Sequence, residues 1–316
     1  MNIDYDPRIA VKFEALMAMK LKTAGFRLPP SSKLSSRLAG SNRSKYRGRG
    51  VNFEEFRHYQ MGDDIRSLDW HVTQRTGEPH VRLYSEEKDQ SVILFVDQRS
   101  SMYFSTIDTM KSVVAAHISA CCAWKVTKDS DRIGAMLFND RDISWYKPQR
   151  NSAHVSRILR TLTEMNKALS ETQVKQPSQV IESGFSRGLL KLSRQKLKGS
   201  LVVMVSDFTN LSDDDLNRIK WLKQHNDVLG VSISDPMEVN LAFDESANIS
   251  DGQLQLPVGP SLNSKLTLYN QNNAIHNERI RHLIHAGGMD VIQLDTSGRH
   301  LAQFIEQASG GRSVKQ

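Results

Sequence analysis

Cysteine is scarce: two of the 316 residues, beside 18 Gly and 9 Pro. That excludes a disulfide-stapled secreted scaffold and a collagen-like or low-complexity chain. Long apolar runs are missing too. The longest, such as Val92–Val96 and Leu201–Val205, have five residues, against the roughly 20 that a bilayer span requires. The start, Met1-Asn-Ile-Asp-Tyr-Asp6, is acidic where a secretory leader is basic, so the chain is expected in the cytosol. No Gly-x-x-x-x-Gly-Lys-Ser/Thr loop occurs, and any ATP dependence has to come from a partner. His-Glu-x-x-His and the Gly-x-Ser-x-Gly nucleophile turn are absent as well. Cys121 and Cys122 adjoin in a predicted helix without matched zinc ligands. Cys121 reads as core, and His282 and His285 read as a solvated helix face.

Charge is present in ordinary amount, with 42 Lys and Arg against 35 Asp and Glu and a net of +7. That excess favours acidic partners without naming one. Between Lys33 and Gly50 lie Lys33, Arg37, Arg43, Lys45, Arg47 and Arg49 with no acid and one aromatic, Tyr46. Such a run is either a phosphate-binding arm or a solvated linker. The linker reading is preferred because no helix-turn-helix, zinc-finger or RNP-type signature accompanies the run. Nucleic-acid binding through residues 33–50 stays as the alternative.

From Ser91 onward, short β-rich runs alternate with helical patterns, the signature of βαβ units and a doubly wound, mainly parallel α/β sheet. Ser91–Val96 is apolar on both faces and reads as a central strand. A helix is predicted over about 107–126, with Ser105 as its cap. The strand Arg132–Phe138 follows, with Ile143–Tyr146 pairing back on it. Helices are predicted at 153–164, 179–197, 212–225, 274–286 and 300–308. Strands are predicted at 200–206, 228–233 and 290–294, and a hairpin region at 242–269. Upstream, Phe53–Tyr59 and His80–Tyr84 suggest a small β-rich unit. The expected layout is an N-terminal helical segment (1–32), the basic arm (33–50), the small unit (51–90), the α/β domain (91–310) and a tail (311–316).

Asp97 and Asp207 each end a buried parallel strand, where open α/β sheets place their ligands. In an extended loop, residues 97, 99 and 101 would share one side. A carboxylate with hydroxyls at +2 and +4, and a second Asp after a later strand, resembles the Asp-x-Ser-x-Ser metal site of von Willebrand factor A domains. The block Arg47-Gly-Arg-Gly-Val-Asn-Phe-Glu-Glu-Phe-Arg-His-Tyr-Gln-Met-Gly-Asp-Asp-Ile-Arg-Ser-Leu-Asp-Trp70, continued by Gln74–Tyr84 and Glu86-Glu87, is similar to the bacterial family catalogued as domain of unknown function fifty-eight.

That resemblance implies a von Willebrand factor A-like fold and partnership with a MoxR-type AAA+ ATPase. The function it implies is a non-enzymatic adaptor that docks client proteins for assembly or activation. It also implies a magnesium site built from Asp97, Ser101 and Asp207, since Mg²⁺ takes hard oxygen ligands. Here position 99 is Arg, which has no lone pair to donate. The expectation is therefore that the Arg99 guanidinium lies against Asp97 or Asp207 in place of the metal, so that no cofactor is needed. Ser178 is a weak substitute for the threonine of the family's glycine-rich segment. In the small unit, Arg57, Asp63, Asp64, Arg66, Asp69 and Trp70 either hold the fold or form the surface that the ATPase recognises. A metal-dependent hydrolase built on Asp97 and Asp207 ranks last, for want of a positioned nucleophile or base.

Overall fold

The computed structural model describes residues 6–23, 25–26, 28, 52–85, 90–172, 183–239, 248–250, 255–257, 278 and 289–309. The chain divides into two units, Met1–Ser31 with Gln90–Gln316, and Ser32–Asp89. The basic arm and the tail fall outside the described residues. The N-terminal stretch, expected as a segment of its own, belongs instead to the larger unit. It forms helix α1 (Phe13–Ala18) and a 3-10 turn, Met19–Lys22.

The smaller unit pairs β1 (Asn52–His58) antiparallel with β2 (His80–Ser85), with an irregularity between Phe53 and Glu55. Between them lies α2 (Trp70–Thr76), a helix absent from the sequence reading. Seven residues are too few for apolar periodicity to show, and α2 is specified by its ends. The Asp69 carboxylate accepts the His71 and Val72 N–H groups, and Gly77 closes the helix at φ 76°.

In the larger unit the strands β3 (Ser91–Asp97), β4 (Arg132–Phe138), β5 (Ile143–Gln149), β6 (Leu201–Ser206), β7 (Asp227–Ser234) and β10 (Asp290–Asp295) form one sheet, in the order β10-β7-β6-β3-β4-β5. Every neighbouring pair is parallel except β4 and β5. The architecture is thus the doubly wound, mainly parallel α/β sheet that the sequence predicts. The winding reverses between β3 and β6, which makes the ends of those two strands the switch point. The helices are α3 (Lys111–Lys128), α4 (Ser152–Thr172), α5 (Gly184–Ser193), α6 (Asp213–His225), the short α7 (Pro236–Val239) and α8 (His300–Ser309). A separate antiparallel pair, β8 (Asn248–Ser250) and β9 (Gln255–Pro257), lies in the predicted hairpin region. The rest of that region, and the helix predicted at 274–286 apart from Glu278, fall outside the described residues.

Period-two alternation sorts β3 between two cores. Val92, Leu94 and Val96 pack with α3, α4, α8 and the N-terminal segment, whereas Ile93 and Phe95 pack with α5 and α6. Helix α3 is buried almost all round, so Cys122 is as enclosed as Cys121. It starts at Lys111 rather than 107, and Ser105 does not cap it. Residues 105–110 are held as a loop by bonds that a helix would forfeit: Thr106 N–H and Oγ1 donate to Asp235, and Thr109 N–H donates to the Thr296 carbonyl.

The N-terminal segment is fastened by buried polar bonds. Val11 N–H donates to Asn166 Oδ1 at 2.9 Å, Asn166 Nδ2 to Gln98 Oε1 at 2.9 Å, and Gln98 Nε2 to the Ser112 carbonyl at 3.0 Å. Trp124 Nε1 donates to the Leu16 carbonyl at 3.1 Å. Asn166→Leu strands the Val11 amide and the Gln98 carbonyl without partners, each costing about 1–3 kcal/mol. The expected outcome is a lower urea midpoint together with faster hydrogen exchange at Val11. An unchanged midpoint contradicts the relay.

Candidate functional site

Parallel strands present their C-terminal ends at one edge of the sheet, so Asp97 at the end of β3 and Asp207 just past β6 emerge side by side. Arg99 joins them. Its Nε lies 3.0 Å from both Asp97 oxygens, and its Nη2 lies 2.7 Å from Asp97 Oδ2 and 3.3 Å from Asp207 Oδ1. The Arg99 backbone N–H also donates to Asp97 Oδ1 at 2.9 Å, which folds the loop back on its own acid. All three side chains are buried, Asp97 completely.

The remaining partners were not legible from spacing. Ser206 Oγ donates to Asp97 Oδ2 at 2.7 Å, and Thr209 gives its N–H and hydroxyl to Asp207 Oδ1 at 3.0 and 2.8 Å. Lys111, the first residue of α3 and 1% exposed, places its Nζ 3.3 Å from Asp207 Oδ2 and 2.6 Å from Glu238 Oε1. Ser183 accepts from Arg99 Nη1 at 3.2 Å and caps α5 through the Phe185 N–H. The sequence reading placed Ser183 inside a helix, whereas the structure puts it at the start of one. Gly184 is needed there, because a Cβ would sit 2.4 Å from the Asn139 carbonyl oxygen.

The turn after β6 is strained. Phe208 and Asn210 have φ 53° and 57°, in the region that favours glycine. Holding such residues costs about 1 kcal/mol or more each. Burial of the Phe208 ring against Phe185 offsets part of that cost and aims Asp207 and Thr209 at one cavity. The cavity measures about 370 Å³, and its lining includes Ser101, Phe104, Lys111, Asp207, Thr209 and Glu238. Residues 100–102 form a 3-10 turn rather than the extended loop expected. Ser101 accordingly lines the cavity with a buried, unpartnered hydroxyl and makes no hydrogen bond to either acid.

Burial pushes the Asp97 carboxyl up from its ordinary value, against the pull of Arg99. Burial opposes ionisation of Asp207 too, but Lys111 and Arg99 prevail and hold it below the usual range. Desolvation weakens the charge on Lys111, and the two facing acids more than restore it.

This donor set does not fit a magnesium ion. Each of the four oxygens of Asp97 and Asp207 accepts a hydrogen bond from Arg99, Lys111, Ser206 or Thr209. A guanidinium with a fixed positive charge holds the space between the two carboxylates. Ser178 lies outside the described residues. Among the described residues, no group of three or more His, Cys, Asp or Glu side chains is placed to hold a metal.

The second set of candidates lies in the smaller unit and divides by how its side chains are engaged. Arg57 Nη2 meets Asp63 Oδ2 at 2.6 Å, and that oxygen also accepts the Gln60 N–H. Asp69, 4% exposed, caps α2 and accepts from Arg82 Nε at 2.5 Å. Asp64 accepts the Arg66 N–H at the start of a 3-10 turn. These four acids and bases hold the unit's own turns together. Trp70, 63% exposed, and Arg66 are exposed on this unit, as are the apolar Met61 and Ile65.

A six-stranded sheet reversing its winding between two acid-bearing strand ends is a doubly wound, mainly parallel α/β domain. The chain belongs to the family described as "Protein of unknown function DUF58", whose model matches residues 55–258. An uncharacterized protein of Mycobacterium tuberculosis, Rv1480, is 24% identical over 317 residues, covering 97% of this chain and 91% of that protein. The uncharacterized protein Mb1516 of Mycobacterium bovis matches to the same extent. Among solved structures, conserved hypothetical protein BatB from Bacteroides thetaiotaomicron aligns over 69% of this chain and 96% of its own, at 12% identity and TM-score 0.37. The SpRpn10 VWA domain aligns over 72% and 100%, at 9% and 0.35. No helix of the described residues is long and apolar enough to cross a membrane.

Proposed function

We propose that the chain is a non-catalytic adaptor of the cytosol, which presents client proteins to a MoxR-type AAA+ ATPase by docking them on the edge of the sheet around Asp97 and Asp207. The observation that carries this reading is the closed ion network. Arg99 ties the two acids together where the resemblance implies a metal, so that among the described residues of this site neither carboxylate is left as an unengaged base for chemistry. The sequence has no phosphate loop of its own, so ATP hydrolysis falls to the partner. The exposed Trp70 and Arg66 of the smaller unit supply the kind of anchors that interfaces favour.

The test is co-purification of the intact chain with the MoxR-type ATPase of the same genome, in ATP. A stoichiometric complex is expected, weakened at least tenfold by Trp70→Ala combined with Arg66→Glu. The absence of any complex defeats the proposal.

A further inference from the structure

We infer that the cavity over Lys111 receives a cationic side chain, lysine or arginine, from the docked partner. This deepens the adaptor reading and rests on it. The argument begins with charge. Among the described residues, three carboxylates, Asp97, Asp207 and Glu238, share one ion network with two cations, Arg99 and Lys111, a formal surplus of one negative charge within that network. Asp140 adds to it at the rim, where its carboxylate accepts the N–H of Ser100, another lining residue, at 2.7 Å.

Lys111 is the cation that lines the cavity, and its ammonium is 1% exposed with its protons directed to Asp207 and Glu238. It therefore neutralises the wall without presenting itself to an incoming anion. An acidic occupant would face Glu238, a quarter exposed, and Asp207 with no unengaged cation on the lining to meet it. A cationic occupant finds what it needs. Glu238 offers charge, and Ser101 offers a hydroxyl oxygen that is buried and without a partner. Phe104, 41% exposed, already holds the Lys111 ammonium 5.7 Å from its ring centre, so the ring attracts a cation at this very site. The Ser101 hydroxyl is the independent sign: among the described residues it is the buried polar atom without a protein partner that also lines this cavity, where an occupant can supply its bond.

The test is ligand-observed NMR on the intact chain with three capped probes: N-acetyl-lysine methylamide, N-acetyl-arginine methylamide and N-acetyl-glutamate methylamide. At least one cationic probe is expected to bind at least tenfold more tightly than the glutamate probe, and raised salt should weaken it. Glu238→Gln should reduce that binding about tenfold. Because Glu238 also pairs with Lys111, Ser101→Val provides a second variant. It replaces the lining hydroxyl by a bulkier apolar group without touching an ion pair and should abolish the signal. Preferential binding of the glutamate probe, silence of both cationic probes, or indifference to Ser101→Val each overturn the inference. Cation binding that survives while no ATPase complex forms would refute the adaptor reading alone. A complex formed by a chain silent to both cations would refute this inference alone.

Discussion

Arg99→Ala should lower stability by about 3–5 kcal/mol, the usual cost of removing one partner from a buried charge network. In a unit of this size that amounts to roughly 10 °C in melting temperature. The variant loses the guanidinium that makes three hydrogen bonds to Asp97 and one to Asp207, and it leaves two buried carboxylates with Lys111 as their remaining cation. The pH dependence identifies the cause. Without Arg99 the paired acids are harder to ionise in the folded state than in the unfolded chain. The penalty is then complete at neutral pH and shrinks as acid protonates them. Adding Asp97→Asn should restore part of the loss. A destabilisation that is the same at pH 7 and pH 5 would mean that lost packing, not charge, is responsible. Arg99→Ser also restores the Asp-x-Ser-x-Ser pattern, and calorimetry should show magnesium binding by that variant. Tight binding by the native chain would refute the view that the guanidinium takes the metal's place.

The loop's chemistry was readable from position 99 alone, because arginine cannot ligate a cation and a buried pair of acids cannot go without one. What stayed hidden were the partners contributed from a distance. Lys111 opens a helix whose other positions are mostly apolar, and nothing in its neighbours marks it as facing Asp207, 96 residues away. Glu238 sits on a four-residue helix too short for any periodic pattern. Strands were legible for the opposite reason, since β3 and β6 are buried on both faces and read as continuous apolar runs. Helix ends were less so. Ser105 has the chemistry of a cap, yet Asp235 and Thr296 hold the surrounding loop out of the helix. Such tertiary competition leaves no local trace. In the smaller unit, Arg57, Asp63 and Asp69 are polar residues of the sort that recognise partners. Only the fold shows that their bonds are spent on turns and a helix cap.

Acid should loosen the chain well above the pH at which its carboxylates titrate, through two buried histidines. His117 of α3 and His300 at the start of α8 lie with Nδ1 and Nε2 3.0 Å apart and their rings stacked. One proton serves that bond, and a second sets donor against donor. Burial, with His300 and Lys22 nearby, pushes His117 down to about 3. Burial and Lys22 push His300 down to about 4, although Asp108 and Asp295 pull the other way. The unfolded chain thus binds these protons near pH 6.5 and the folded chain does not. Stability is complete above that value and is lost as pH falls toward about 4 for His300 and about 3 for His117. At roughly 1.4 kcal/mol per unit, the pair carries several kcal/mol. Asp207, Asp235 and Asp295, all held low, lose their contribution only below the ordinary carboxylate value of 3.8. The interval from pH 6 to 4.5 therefore belongs to histidine. His154, also lowered by burial, contributes there too, and Asp97 acts in the opposite sense. Both are common to the native chain and to a His117→Gln/His300→Gln variant, so the comparison isolates the pair. Urea midpoints at pH 7.5 and 5.0 should fall steeply for the native chain and markedly less for the double variant. Equal falls would show that the two rings carry no linkage.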